Sequence, residues 1–284
     1  LAQGYVLANG EAVFGNGGQF SFSTCAGGSI TLTGIDPVGA ASSVAVTVSL
    51  VGSVVDAGQL EACAQSGGNG HLNPNFTYGS VTDIEGTEYA TIVIGSQRWM
   101  AENLRTATYA NGDPIPNVTD VTQWGGLATG AWAHYQNNSS YNYPYGKLYN
   151  WYAVSDPRNV CPTGWHVPTD AEWSTLVNYL DPANGYNGEF SVTAGGKMKS
   201  TGTQYWPAPN TGATNESGFS GLPGGVRAID AGYFYNLGNG GYWWSASESG
   251  AENAEHRNLS NGNAGIYFNT SSKRGGMSVR CIRD

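Results

Sequence analysis

The chain has 284 residues, 40% of them apolar and only 12% charged, with a formal net charge of −9. So acidic a chain, with 12 Lys and Arg in all, argues against a role tracking nucleic-acid phosphates, and no apolar run reaches the roughly 18–20 residues of a membrane helix. Glycine at 42 residues, about twice ordinary usage, combines with 9 Trp, 17 Tyr and 8 Phe to predict a globular, turn-rich fold of short strands.

Residue 1 is Leu and no signal-peptide pattern follows, the expectation for a mature or trimmed chain. The cysteines fall two to each half, Cys25 and Cys63, then Cys161 and Cys281. That split suggests one disulfide per half, with the other pairings open on sequence alone. Disulfides would imply an oxidising, extracytoplasmic compartment. No CxxC spacing occurs and the four His are scattered, so no zinc pattern appears.

Up to about Ala64 the sequence is strand-like. In "GQFSFSTC" Phe20 and Phe22 alternate with Ser21 and Ser23, and "SITLTGID" and "SSVAVTVSLVG" continue the period of two. "GSVVDAGQLEAC" closes the segment, and Cys25 and Cys63 are placed to tie an early strand to the last. These stretches resemble the carboxypeptidase-regulatory-like sandwich modules of bacterial surface proteins. The usual first strand of that module is missing before Leu1, so the module is expected to be cut or completed by a strand from elsewhere. The predicted organisation is a β-sandwich over 1–65, a Gly/Asn/Pro-rich linker over 66–80 and a second domain over 81–284.

"EYATIVIGSQRWMAENL" predicts two strands around Gly95-Ser96, with Ile92, Ile94 and Trp99 in the core. An aromatic loop region follows through "NNSSYNYPYGKLYNWYAV". In "VPTDAEWSTLVNYLDP", Thr169 and Glu172 form a capping box, and Trp173, Leu176, Val177 and Leu180 share one helical face before Pro182 stops the helix.

The motifs "IGSQRWMAENLRT", "GKLYNWYAV", "CPTGWHVPTDAEWSTL", "GGKMKSTG", "NTGATNESGFSGLPGGVR", "GYWWSAS" and "GMSVRCIRD", in order to the last residue, resemble the Fibrobacter succinogenes major paralogous domain. The resemblance implies an α+β, C-type-lectin-like fold, of the branch shared with formylglycine-generating enzymes and retroelement variable proteins. In that fold the terminal strands pair and an irregular loop region carries the ligand surface. A Cys161–Cys281 bridge would then close a loop of about 120 residues. Asn210, Thr214 and Asn215 are expected to satisfy backbone groups of irregular loops.

Enzyme signatures are missing. "GFSGL" lacks the second glycine of a nucleophile elbow, no phosphate-binding or dinucleotide fingerprint follows a strand, and His166 fits a packed scaffold position. The related enzymes need a pair of active-site cysteines, whereas this domain has only Cys161 and Cys281. No cofactor is expected. The one calcium candidate is "DPANGYNGE", with Asp181, Asn184, Asn187 and Glu189, which is not an EF-hand. The Glu-Pro-Asn and Trp-Asn-Asp motifs of calcium-dependent lectins are missing as well.

Binding is the remaining class. The run from Trp243 to Lys273 mixes amides, hydroxyls and rings as recognition loops do. The expected ligand residues are Tyr235, Trp244, Glu248, Asn253, His256, Asn258, Asn261, Asn263, Tyr267 and Asn269. Of the adjacent Trp243 and Trp244, one is expected in the core and one on the surface. The expected function is non-catalytic recognition or adhesion outside a bacterial cell, with a glycan or protein ligand. The alternative is a subunit or tip of a surface fibre that mainly self-associates, and an enzyme on the lectin-like scaffold ranks third.

Overall fold

The computed structural model describes residues 5–6, 12–13, 20–23, 29–32, 70–183, 190–229 and 233–284. The chain divides into two units, Leu1–Asn69 and Gly70–Asp284. In the first, β1 (Tyr5–Val6) pairs antiparallel with β2 (Ala12–Val13), and β3 (Phe20–Ser23) with β4 (Ser29–Leu32). The strands expected at "GQFSFSTC" and "SITLTGID" therefore form. Those expected between 44 and 63, with Cys25 and Cys63, lie outside the described residues.

The second unit starts earlier than composition suggests. His71 is buried, Leu72, Phe76 and Tyr78 pack against a core cluster, and β5 (Gly79–Thr82) begins inside the expected linker. Gly, Asn and Pro mark irregular backbone there, and irregular backbone can still be packed.

Two sheets organise this α+β unit. β6 (Glu88–Ile94) and β7 (Gln97–Met100) form the expected hairpin, with Gly95 at φ 61 in the turn. Between β7 and β10 (Trp165–His166) lies the last strand, β17 (Ile282–Arg283), so the five-stranded order is β10-β17-β7-β6-β5. The second sheet runs β11 (Phe190–Ser191), β16 (Ile266–Ser272), β15 (Asn253–Ser260), β14 (Gly240–Glu248). Two small pairs complete the strands, β8 (Trp132–Ala133) with β9 (Leu148–Tyr149) and β12 (Gly224–Arg227) with β13 (Phe234–Leu237).

The longest helix, Asp170–Leu180, carries the complete capping box, and its four expected apolar residues are all buried. Asp170 in its first turn pairs with the buried Arg257 of β15, tying helix to sheet. The sheet β14–β16 divides two hydrophobic clusters. Trp244 and Ala254 belong to one with Tyr149, Trp151, Met277 and Cys281. Trp243, Leu259 and Ile266 belong to the other with Trp99, Trp173 and Phe219. Adjacent strand residues face opposite ways, so the two tryptophans stitch both clusters to one strand.

Cys161 and Cys281 are bonded, with a sequence separation of 120 and a Cα–Cα distance of 5.9 Å. Long loops are held by buried cations that gather backbone carbonyls. Lys199 Nζ donates to the carbonyls of Thr211, Ser260 and Asn263 at 2.9, 2.9 and 2.8 Å. Arg227 donates to those of Val118, Thr119 and Asp120, and Arg280 to those of Phe219 and Ser220 and to Asn103 Oδ1. Burial pushes Lys199 down to about 8 and Arg280 to about 9, Arg280 despite the opposing charge of Glu102. Asn210 and Asn215, both at positive φ, serve the same end, Asn210 bonding the carbonyls of Ser200 and Gly202 and Asn215 bonding Ser220. Among the described residues no helix is long and apolar enough to cross a membrane.

Candidate recognition surface

The register of β14–β16 sets two rows across one sheet face. Tyr242, Asn258, Tyr267 and Phe190 lie opposite one another in the first, and Trp244, His256 and Asn269 in the second. Phe190 and Tyr267 stack at 6.1 Å with planes 29° apart. Asn269 Nδ2 donates to Asn258 Oδ1 at 2.7 Å, and Asn236 Nδ2 donates to the Tyr242 hydroxyl at 2.7 Å. Asn269 is exposed, and Tyr242, Asn258 and Tyr267 are half-buried. Amides and phenols both donate and accept, so the face suits ligands rich in hydroxyl or peptide groups.

Two expected contact residues lie on this face but are covered. Trp244 is 0% exposed and donates its Nε1–H to the Tyr149 carbonyl at 2.8 Å. His256 is 4% exposed, in ring contact with Tyr242 and Trp244, and burial, then Arg257, pushes it down to about 4. It is a neutral core ring at pH 7, not a ligand group. The expectation that one tryptophan lines the surface is corrected for the same reason. Segment 276–278 pairs along the edge of β14, with Trp244 N donating to the Ser278 carbonyl and Ser278 N to that of Tyr242. The two hydrophobic clusters cover the strand's two faces there, Trp244 lying with Tyr149 and Trp151 and Trp243 with Trp99 and Phe219.

The other expected residues scatter. Asn261 donates to the Pro207 carbonyl and to Asn239 Oδ1, and Asn263 Oδ1 accepts from Gly265 N, so both build the β15–β16 turn. Glu248 pairs with Lys273, and Asn253 falls on the alternate parity of β15, away from His256 and Asn258. Tyr235 belongs to the β12–β13 pair, 45% exposed and in contact with Tyr233. The structure thus brings Asn258, Tyr267 and Asn269 together and leaves Tyr235, Glu248, Asn253, Asn261 and Asn263 apart from them.

His166 is a scaffold residue. Its ring joins Glu172 Oε1 at 2.8 Å to Asp284 Oδ1 at 2.5 Å, pinning the helix start to the last residue. In the calcium candidate, Asp181 is buried and its Oδ2 accepts from Ser191 Oγ at 2.6 Å. Asn184, Asn187 and Glu189 lie outside the described residues, among which no group of three or more His, Cys, Asp or Glu is arranged to hold a metal. A depression of about 220 Å³ beside the disulfide is lined by Thr82, Asp83, Thr106, Thr108 and Cys161 among others. Its Asp83 carboxylate already accepts from Glu85 N, Thr87 N and the Tyr89 hydroxyl.

A second surface was not singled out from sequence, although "YNYPY" carries it. Tyr135, Tyr141, Tyr145, Tyr205, His71 and Tyr143 form one chain of ring contacts. Centroid steps are 5.5, 6.4, 6.3, 6.1 and 6.2 Å, and successive planes are turned by 55–88°. Tyr141, Tyr143, Tyr145 and Tyr205 are each half-buried. Alternating tyrosines in a loop were the visible signal. Their meeting with Tyr205 and His71 is long-range, and sequence does not encode it locally.

Comparison with curated proteins gives no match, and neither does comparison with solved structures. The sequence profile described as the Fibrobacter succinogenes major domain matches residues 92–283, from the middle of β6 to the end of β17. That span is well over half of the chain and contains the disulfide, the capped helix and both surfaces except His71. The chain belongs to the Fibrobacter succinogenes major domain family.

Proposed function

We propose that the second unit is a non-catalytic recognition domain of C-type-lectin-like fold, working outside the cytoplasm and binding a glycan or protein ligand on the β14–β16 face. The observation that carries the reading is the half-exposed group of Tyr242, Asn258, Tyr267 and Asn269 on the uncovered part of one sheet face, with Trp244, His256 and Ala254 buried next to it and the opposite face closed by Trp243, Leu259 and Ile266. A rigid floor under adaptable amides and phenols favours binding, because little ordering entropy is lost on contact. The Cys161–Cys281 bond supports an oxidising compartment. Insertion of β17 beside the first hairpin supports the lectin-like topology, in which terminal strands pair.

The test is a glycan-array and cell-surface binding screen of the whole chain and of the triple variant Asn258→Ala, Tyr267→Ala, Asn269→Ala. Loss of at least tenfold in affinity with unchanged melting temperature is expected. Binding that survives the triple variant overturns the site. Concentration-dependent self-association that the triple variant abolishes, with no ligand found, replaces recognition by the fibre-subunit reading.

A further inference from the structure

We propose that the tyrosine strip of Tyr141, Tyr145, Tyr205 and Tyr143, with His71 at its base, is a separate binding site for a neutral polysaccharide chain. The inference deepens the recognition reading by naming a ligand class, and it rests on a different surface from the β14–β16 face.

Three observations carry it. The first is the ring chain itself. Sugar rings present C–H surfaces to aromatic faces and hydroxyls to their edges, and the steep tilts between successive rings offer both in alternation. The second is a concentration of unpartnered polar atoms. His71 is 2% exposed, and its Nδ1 and Nε2, the Tyr143 hydroxyl and Asn142 Oδ1 are buried without a hydrogen-bond partner among the described residues. Each such group is costly to leave unmet, and a neutral imidazole carries one donor and one acceptor. Sugar hydroxyls supply both roles once the half-buried Tyr143 ring turns aside. A proline-rich peptide offers mainly carbonyl acceptors, which leaves Asn142 Oδ1 and the acceptor nitrogen of His71 unmet.

The third observation is charge. Two arginines face the strip. Arg105, 5.5 Å from the Tyr143 ring, is tied to Glu102 Oε1 at 2.9 Å and the Glu88 carbonyl at 3.0 Å. Arg280, which acts on His71, is buried and bonded to Asn103 Oδ1 and the carbonyls of Phe219 and Ser220. Lys147 is held by the Arg105 carbonyl. Among the described residues the cations facing the strip are thus already engaged, and a chain at −9 repels an acidic polymer at long range. A neutral occupant is what remains.

The experiment is affinity electrophoresis of the whole chain through gels containing hydroxyethylcellulose, xyloglucan or galactomannan, with polygalacturonate as the acidic comparison and decaproline binding measured by calorimetry. Retardation on at least one neutral gel is expected. The double variant Tyr145→Ala, Tyr205→Ala should weaken it at least tenfold. His71→Phe, which keeps the ring packing and removes both nitrogens, should weaken it severalfold with the fold intact by circular dichroism. The β14–β16 triple variant should leave it unchanged. Migration unaffected by all three neutral polymers, retardation by polygalacturonate alone, decaproline binding in their place, or retardation that survives both strip variants overturns the proposal. If the strip fails while the triple variant still abolishes binding in the screen, the β14–β16 reading stands alone.

Discussion

His71 and His256 are two neutral rings buried among aromatic neighbours, and that placement gives the protein an acid-labile interior. Burial pushes both down to about 4 from an ordinary value of 6.5; on His71 the charge of Glu102 opposes this while Arg280 and Arg105 add to it, and on His256 Arg257 acts in the same direction as burial. The unfolded chain takes up these protons at 6.5 and the folded chain only near 4, so between those values the unfolded state binds more protons. Stability is full above pH 6.5 and falls as pH drops toward 4. At about 1.4 kcal/mol per unit, each ring contributes up to about 3 kcal/mol of that loss. Urea unfolding at pH 7.5 and pH 4.5 should show it, and His256→Leu should remove a good part of the difference. An unchanged difference in that variant would mean that His256 titrates freely in the folded protein. His166 runs the other way: burial lowers it, but its bonds to Asp284 and Glu172 outweigh burial and raise it. Its contribution is present below 6.5 and lost as pH rises through the raised value, and it is small because the pair is part-exposed. That His256 belongs to the interior was not legible from its neighbours. Its strand alternates as a half-exposed strand should, and only the distant segments that cover Trp244 decide the matter.

At the scale of elements, legibility follows the range of the interactions. The helix Asp170–Leu180 was readable to the residue because its cap, its apolar face and its stop all lie within sixteen positions. The β6–β7 hairpin was readable for the same reason. The β15–β16 turn looked like a display loop because Asn261 and Asn263 are polar, yet its shape depends on Lys199, some sixty residues away. A lysine inside "GGKMKSTG" gives no local sign that it will be fully buried. The dependence predicts a specific defect. Lys199→Met keeps the apolar stem and removes the ammonium, leaving the carbonyls of Thr211, Ser260 and Asn263 without their donor. The expected cost is about 3 kcal/mol, since each buried carbonyl left unsatisfied costs about 1–3 kcal/mol and the three can relax together. Hydrogen–deuterium exchange should rise first at Thr211 and at 261–265, with the helix unaffected. A fall in stability without that local signature would show that Lys199 acts as packing only.

At the scale of the molecule, the second unit closes on itself twice. β17 fits between β7 and β10, and the Cys161–Cys281 bond fastens the residue just before β17 to the stretch just before β10. With 120 residues between the cysteines, the chain-entropy model gives about 5 kcal/mol, a large share of the 5–15 kcal/mol that stabilises an ordinary domain. The double variant Cys161→Ala, Cys281→Ala, or reduction of the native chain, should lower the unfolding free energy by about that amount. The location of the effect separates two origins. If the bond acts by restricting the unfolded chain, amides that exchange by global unfolding in β6, β7 and β14 should lose protection by one common factor. If it acts as a local clamp, protection should fall only in β10 and β17 while β14 keeps its full value. The burial of Met277, Val279 and Cys281, together with Ser278 and Arg280, favours the first outcome, because packing on both sides of that segment already holds it in place without the bond.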